Sequence, residues 1–203
     1  MEPLAMTIAT QPQKKLTFEE YLNYDDGTDN RYELTNGALI ALPPESGVNN
    51  TIALWLVLQL AKLIDFRRVR MHACCLQVPI VKLGLPENRY PDFVVLREEH
   101  IPLIQKQLAI KLDMPPPQLV VEVVSPGKQS YQRDYVEKRQ QYEARGIPEY
   151  WIIDPERQRV TVLKLEEGVY AEVGQFPGAD RIPSQQFPDL ALTVAEILQA
   201  GQA

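Results

Sequence analysis

Tyr90-Pro91-Asp92-Phe93-Val94-Val95-Leu96 and Leu119-Val120-Val121-Glu122-Val123-Val124-Ser125 are two short runs rich in β-branched residues, and each carries one carboxylate. Pro91 bounds the first run, and three prolines at 115–117 precede the second. Runs of this length and composition predict buried strands. An acid is almost never fully buried unless it is paired or binds a metal. We therefore expect Asp92 and Glu122 to converge at a polar end of an otherwise apolar sheet.

A pair of carboxylates at strand ends suits a hard divalent cation such as Mg²⁺, which keeps several waters and takes one or two protein carboxylates. A metal site is the leading interpretation of this pattern. The alternative is that Asp92 caps a turn after the proline and that Glu122 pairs with a surface arginine, because structural ion pairs also hold carboxylates.

The length and composition predict a single soluble domain. With 203 residues and 45% hydrophobic residues the chain can bury a normal core. We expect a flexible N-terminal segment at residues 1–15 and one domain at residues 16–203. Residues 1–15 lack the apolar core of a signal peptide, and the longest apolar stretch, residues 52–58, is too short to span a bilayer. The expected location is the cytoplasm, without membrane association.

The sequence lacks the residues that several other kinds of site would need. Cys74 and Cys75 are adjacent, so a disulfide between them would be strained and two reduced thiols are expected. Together with His72 they suggest zinc, but a closed site needs four ligands, and the other histidine, His100, is isolated. The net charge of −6 argues against nonspecific coating of nucleic acid. A local basic cluster beside the acids remains: Lys128, Arg133, Lys138, Arg139 and Arg145.

The segment from Tyr131 to Arg145 predicts a helix closed by Gly146. Asp134, Lys138 and Tyr142 are spaced at i, i+4 and i+8, so they share one helix face. If that face packs on the sheet edge, Lys138 points towards the two carboxylates. The alternative is an ordinary Asp-to-Lys surface pair.

The remaining chain predicts further elements around this centre. Thr17 and Glu20 form a capping box for a helix at residues 16–24. Asn36-Gly37 predicts a β-hairpin that places Glu33 on a strand, where it faces the same site as Asp92 or pairs with Arg31 or another base. The patterns also predict a helix at residues 49–67 and a strand at residues 71–82.

Taken together, these motifs resemble the Uma2 family of restriction-type endonucleases within the PD-(D/E)XK nuclease superfamily. The resemblance covers residues 16–198 and rests on these motifs: Arg31-Tyr32-Glu33-Leu34 with Asn36-Gly37; Pro91-Asp92; Val121-Glu122-Val123-Val124-Ser125-Pro126; Asp134, Lys138 and Tyr142; and Gly146-Ile147-Pro148-Glu149-Tyr150-Trp151. It implies an α/β fold with a restriction-endonuclease-like core, in which a central mixed sheet is flanked by helices. The strands of Asp92 and Glu122 would lie side by side in the middle of this sheet.

The resemblance also implies roles for individual residues. Asp92 and Glu122 would bind Mg²⁺, with Mn²⁺ as an alternative, and the backbone carbonyl of Val123 would be a third ligand. The superfamily's usual lysine, two residues after the glutamate, is replaced here by Val124. Lys138 is the natural substitute, since in other members the lysine has moved to the neighbouring helix, and Lys128 is the competitor. Glu33 would be an additional acid near the metal.

With these roles the protein would be a metal-dependent endonuclease that hydrolyses DNA phosphodiester bonds. The alternative is a catalytically silent module of the same fold that binds nucleic acid or protein, because a fold can persist after its activity is lost. Residues 52–64 are apolar on more faces than one sheet can cover, so we also expect a homodimer.

Overall fold

The computed structural model describes residues 15–202 of the chain. The predicted flexible segment, residues 1–15, lies outside this range apart from Lys15. The elements in chain order are α1 (Phe18–Leu22), β1 (Tyr32–Thr35), β2 (Ala38–Ala41), α2 (Gly47–Leu60), a 3₁₀ turn (Phe66–Arg68), β3 (Val69–Met71), β4 (Cys75–Gln77), β5 (Asn88–Arg89), β6 (Phe93–Val95), α3 (His100–Leu103), β7 (Ala109–Ile110), β8 (Leu119–Val123), α4 (Lys128–Tyr131), a π-helical segment (Gln132–Glu137), α5 (Lys138–Arg145), β9 (Glu149–Asp154), β10 (Arg159–Glu166), β11 (Val169–Pro177) and α6 (Val194–Ala200).

A mixed sheet of six strands, in the order β11-β10-β9-β8-β6-β3, forms the centre. β8 runs parallel to β9, and the other neighbouring pairs are antiparallel. α2 and α6 contribute to the apolar cluster on one face, whereas α5 contributes to the cluster on the other. The predicted α/β fold, a central mixed sheet flanked by helices, is confirmed.

The alternation of side chains along β6 and β8 decides where the two acids point. Phe93 and Val121 are paired across the strands and belong to the α2 face. Val94 and Val120 belong to the opposite face, which α5 covers. Because successive side chains point to opposite faces, Asp92 and Glu122 also point towards the α5 face. The two strands therefore bring both carboxylates to one side of the sheet.

Two local predictions near the N-terminus are confirmed. Thr17 and Glu20 form the capping box of α1. Thr35 pairs with Ala38 around Asn36 and Gly37, whose φ angles of 52° and 81° are those of a tight hairpin turn. These signals are local, because each depends on hydrogen bonds between residues close in sequence.

Three predicted boundaries are wrong. The helix predicted at residues 49–67 begins after Ser46, whose side chain caps it, and ends at Leu60. The helical stretch predicted from Tyr131 begins at Lys128, so Lys128 lies on a helix and not in a loop. The strand predicted at residues 71–82 is broken at His72, which has a φ of 53° and separates β3 from β4.

β4 joins a separate small sheet with β5 and β7. Within residues 15–202 no helix has the length and apolar character needed to cross a bilayer.

Candidate functional site

Asp92 is anchored to the neighbouring strand by its own side chain. Its Oδ2 accepts a hydrogen bond of 2.6 Å from the backbone N–H of Val123. Its backbone carbonyl accepts a second bond, of 3.2 Å, from the N–H of His72. Asp92 is buried, and these two bonds fix the carboxylate at the edge of β6, with Oδ1 left facing His72 at 3.5 Å from Nδ1.

Glu122 is fully buried and holds two partners from α5. Its Oε2 accepts a hydrogen bond of 2.7 Å from Lys138 Nζ, and its Oε1 accepts one of 2.5 Å from the hydroxyl of Tyr142. Burial raises the pKa of Glu122 to about 7, and the negative charges of Asp92 and Asp134 act in the same direction against the opposing effect of Lys138. Burial therefore favours the neutral form of this carboxyl, even though Lys138 contacts it directly.

Lys138 bridges two acids. Besides Glu122, its ammonium contacts Asp134 Oδ1 at 3.0 Å, and its side chain is 8% exposed. Burial acts to lower the pKa of Lys138, but Asp134 and Glu122 raise it above its ordinary value, so the lysine stays charged. The π-helical turn that ends just before Lys138 is of a kind often found at functional sites.

Arg133 adds a second cation beside Lys138. Its guanidinium pairs with both oxygens of Asp134, at 3.0 and 3.2 Å. Burial opposes ionisation of Asp134, yet Lys138 and Arg133 together lower its pKa below the ordinary value. Asp134 therefore stays charged and orients both cations.

The other two predicted site residues, Val123 and Glu33, each have a hydrogen-bond partner outside the acidic pair. The carbonyl of Val123, the predicted third metal ligand, accepts a hydrogen bond of 2.8 Å from the side-chain amide of Asn49 on α2. A carbonyl has two lone pairs, so one remains. Glu33 on β1 pairs with Arg89 at 3.2 Å, which is the pairing with another base that the sequence left open.

A cleft of about 270 Å³ connects these residues. Its walls include Glu33, Asp92, Val123 and Lys138, four of the five predicted site residues, and Glu122 is fully buried beside Lys138. Of the predicted basic cluster, Arg133 and Lys138 line the cleft. Arg139 and Arg145 instead donate to backbone carbonyls, and Lys128 is exposed.

Sequence reasoning missed Glu45, and it considered His72 only as a zinc ligand beside Cys74 and Cys75. Glu45, in the loop before α2, and His72 place ligand atoms within 4.8 Å of each other and of Asp92. Glu45 follows Pro43-Pro44 in a loop without a recognisable pattern. His72 lies within the predicted strand, but its positive φ, which a sequence does not show, falls where that strand is broken, and its ring lies 3.5 Å from Asp92.

Comparison with known proteins identifies the family of the chain. A family model described as "Putative restriction endonuclease", that of Uma2, matches residues 18–195. The chain belongs to the Uma2 family. This confirms the resemblance drawn from the motifs, and the family description is that of a nuclease.

Solved structures with a similar fold include the following one. It is a crystal structure from Anabaena variabilis, titled as a "putative nuclease belonging to DUF820", with a TM-score of 0.64 and 18% identity over 92% of this chain and 99% of that chain. At this identity the likeness shows the fold. A search of curated proteins found no match.

The oxygen atoms in and beside the cleft fit a divalent cation. Asp92, Glu122 and the Val123 carbonyl offer hard oxygen atoms, the type of ligand that Mg²⁺ and Mn²⁺ take. Each carboxylate oxygen has two lone pairs, so Glu122 retains acceptor capacity beside Lys138 and Tyr142. A cation here would also oppose the effect of burial, which is the main cause of the raised pKa of Glu122, and the smaller effect of the negative charges of Asp92 and Asp134.

Proposed function

We propose that this protein is a Mg²⁺-dependent endonuclease that hydrolyses DNA phosphodiester bonds. The observation that carries the proposal is the contact of 2.7 Å between Lys138 Nζ and Glu122 Oε2 in the wall of the cleft that also holds Asp92. A charged donor thus contacts one of the two carboxylates, Glu122, and lines the cleft together with the other, Asp92. These are the groups that the superfamily resemblance requires, and their proximity supports the proposal. Membership in the Uma2 family supports the proposal.

Asp92, Glu122 and the Val123 carbonyl would hold the ion, with Mn²⁺ as an alternative to Mg²⁺. When bound, a divalent ion polarises a phosphoryl oxygen and lowers the pKa of a bound water. The hydrogen bond from the Val123 N–H keeps Asp92 Oδ2 in place, so the ligand is positioned before any substrate arrives.

Lys138 takes the role of the superfamily's usual lysine, whose position in this sequence is occupied by Val124. Its ammonium is held at two points, by Glu122 and Asp134, so it is oriented without substrate. Such a preorganised donor stabilises the charge that develops on a phosphate during attack. Lys128, the competitor, lies at the exposed start of α4 and is not among the residues that line the cleft. The structure therefore favours Lys138.

Arg133 gives the cleft an exposed cation for the DNA backbone. Its side chain is 42% exposed while it pairs with buried Asp134. A fixed guanidinium suits phosphate because it presents several donors in one plane. This local charge supports DNA as the substrate despite the net charge of −6.

A second candidate, a silent binding module, is favoured by one observation. Both oxygens of Glu122 are already engaged, by Lys138 and Tyr142, and such a closed network could serve stability alone.

A cleavage assay separates the two functions. Purified protein is incubated with supercoiled, linear and single-stranded DNA in Mg²⁺, Mn²⁺ or chelator. We expect cleavage with either metal and none with chelator. Cleavage that persists in chelator would reject the metal dependence, and no cleavage under any condition would reject the nuclease in favour of the silent module.

A further inference from the structure

His72 is a buried histidine without a hydrogen-bond partner. Its side chain is 10% exposed, and neither ring nitrogen bonds to any described residue. A buried polar group without a partner is costly, so such groups in native proteins call for a specific reason. The other histidine, His100, shows the ordinary arrangement: its Nδ1 accepts from the Arg97 N–H, and its Nε2 lies 2.9 Å from the Pro115 carbonyl.

The imidazole of His72 faces two carboxylates. Nδ1 lies 3.5 Å from Asp92 Oδ1 and 3.7 Å from Glu45 Oε1. A protonated imidazole that paired with these acids would donate hydrogen bonds at about 2.7–2.9 Å. The observed separations are too long for that pairing.

The same separations suit ligands of one metal ion. With metal–ligand bonds of about 2.1 Å, neighbouring ligand atoms lie roughly 3.0 Å apart in an octahedron and roughly 3.4 Å apart in a tetrahedron. The observed distances from His72 Nδ1, 3.5 Å to Asp92 and 3.7 Å to Glu45, are slightly longer than these ligand–ligand distances. Small movements of the Glu45 loop would close the difference.

Arg31 donates hydrogen bonds to two of the three residues, His72 and Glu45. One of its nitrogens, Nη1, donates to the backbone carbonyl of His72, and Nη2 donates to Glu45 Oε1 at 3.3 Å. The bond to the carbonyl helps to keep His72 in its left-handed backbone conformation, with a φ of 53°. Partners of this kind orient metal ligands in other proteins.

We propose that His72, Glu45 and Asp92 bind a first-row transition-metal ion, with Mn²⁺ as the ion of this site. Imidazole nitrogen is a ligand for transition metals, whereas Mg²⁺ takes oxygen ligands and keeps its waters. The inference rests on the proposed function because Asp92 is shared, and it adds two ligands that would raise the affinity of the cleft for Mn²⁺ without changing its affinity for Mg²⁺.

The test measures binding of Mn²⁺ alone and of Mg²⁺ alone to the full chain by calorimetry. The variants are His72→Asn, because Asn tolerates a positive φ, and Glu45→Gln. Glu98→Gln is the matched control, because Glu98 is an exposed acid paired with Arg68 and is not among these ligands. Loss of an outer partner of a metal ligand costs roughly 10–100-fold in affinity, so loss of a ligand should cost at least about tenfold.

We expect both variants to weaken Mn²⁺ binding by at least about tenfold and to leave Mg²⁺ binding and the Glu98→Gln control unchanged. Mn²⁺ binding that is equal in wild type and both variants would overturn this inference while leaving the proposed function intact. Wild-type protein that binds neither metal would overturn both.

A second measurement does not depend on the folding of a variant. Zn²⁺ binds nitrogen and oxygen sites more tightly than Mn²⁺ and is diamagnetic, so it serves as a probe for nuclear magnetic resonance of ¹⁵N-histidine-labelled wild type. We expect the ring nitrogens of His72 to shift and those of His100 to stay in place. An unshifted His72 in Zn²⁺-saturated protein would overturn the inference.

Discussion

Replacement of Lys138 by methionine removes one charge and keeps the stem of the side chain. In the structure Lys138 Nζ lies 2.7 Å from Glu122 Oε2 and 3.0 Å from Asp134 Oδ1, and the side chains of both acids are 1% exposed. Removal of one partner of a buried ion pair costs about 3–5 kcal/mol, because the other charge is left buried. Arg133 still pairs with Asp134, and Glu122 can take up a proton, so we expect a loss near the lower end, about 3 kcal/mol.

The assay is urea unfolding of the metal-free protein, with Lys128→Met as the matched control, because Lys128 is an exposed lysine. We expect Lys138→Met to lower the free energy of unfolding and Lys128→Met to leave it unchanged. The double variant Lys138→Met/Glu122→Gln should recover part of the loss, since it removes the orphaned charge. Equal stability of the two single variants would refute the account of the ion pair.

The same pair of variants tests catalysis at a temperature where both are folded. Loss of a transition-state donor costs about 3 kcal/mol, or roughly a hundredfold or more in rate. Lys138→Met should lose DNA cleavage to this extent and still bind metal, while Lys128→Met keeps its activity. If Lys128→Met is inactive and Lys138→Met is active, the catalytic role belongs to Lys128 and the assignment to Lys138 is wrong.

Three further outcomes follow from the site and from α2. Asp92→Asn should fold without metal, because the amide oxygen still accepts the Val123 N–H. The variant should lose the rise in melting temperature that Mg²⁺ gives wild type. A retained rise would show that Asp92 is not a ligand. Since burial raises the pKa of Glu122 from 4.5 to about 7, its contribution to metal-free stability is fully present below pH 4.5 and is lost as the pH rises through 7. Glu122→Gln should flatten that part of the curve of unfolding free energy against pH, and an unchanged slope would exclude Glu122 as its source. Leu54 and Leu58 on α2 are exposed, so light scattering at tens of micromolar should give a dimer mass, and a monomer mass would remove the predicted self-association.

The parts of the fold that the sequence predicted correctly depend on local chemistry. The Asn36-Gly37 hairpin and the capping box at Thr17 are specified by residues within a few positions of each other. The strands around Asp92 and Glu122 were recognisable because an acid inside a β-branched run is unusual. Asp134, Lys138 and Tyr142 were placed on one face by helical spacing, and this face does meet Glu122.

The parts that could not be predicted depend on distant contacts or on backbone conformation. His72 looked like one more residue of a strand, but Asp92 and Arg31, at separations of twenty residues or more, hold its backbone in a turn. Glu45 belongs to the site only because the loop before α2 passes beside β6. The helical segment begins at Lys128, earlier than predicted, and continues into a π-helical stretch at Gln132–Glu137, for which the sequence carries no local signal.

Single-turnover cleavage of a DNA duplex in Mg²⁺ tests the central claim most directly, with wild type and Glu122→Gln purified side by side. The substitution keeps the shape of the side chain and removes the negative charge that the ion and Lys138 share. We predict cleavage by wild type, its loss in chelator, and a rate lower by roughly a hundredfold or more for Glu122→Gln. Equal rates for the two proteins, or no cleavage by wild type with either Mg²⁺ or Mn²⁺, would contradict the assignment of this site as a nuclease centre.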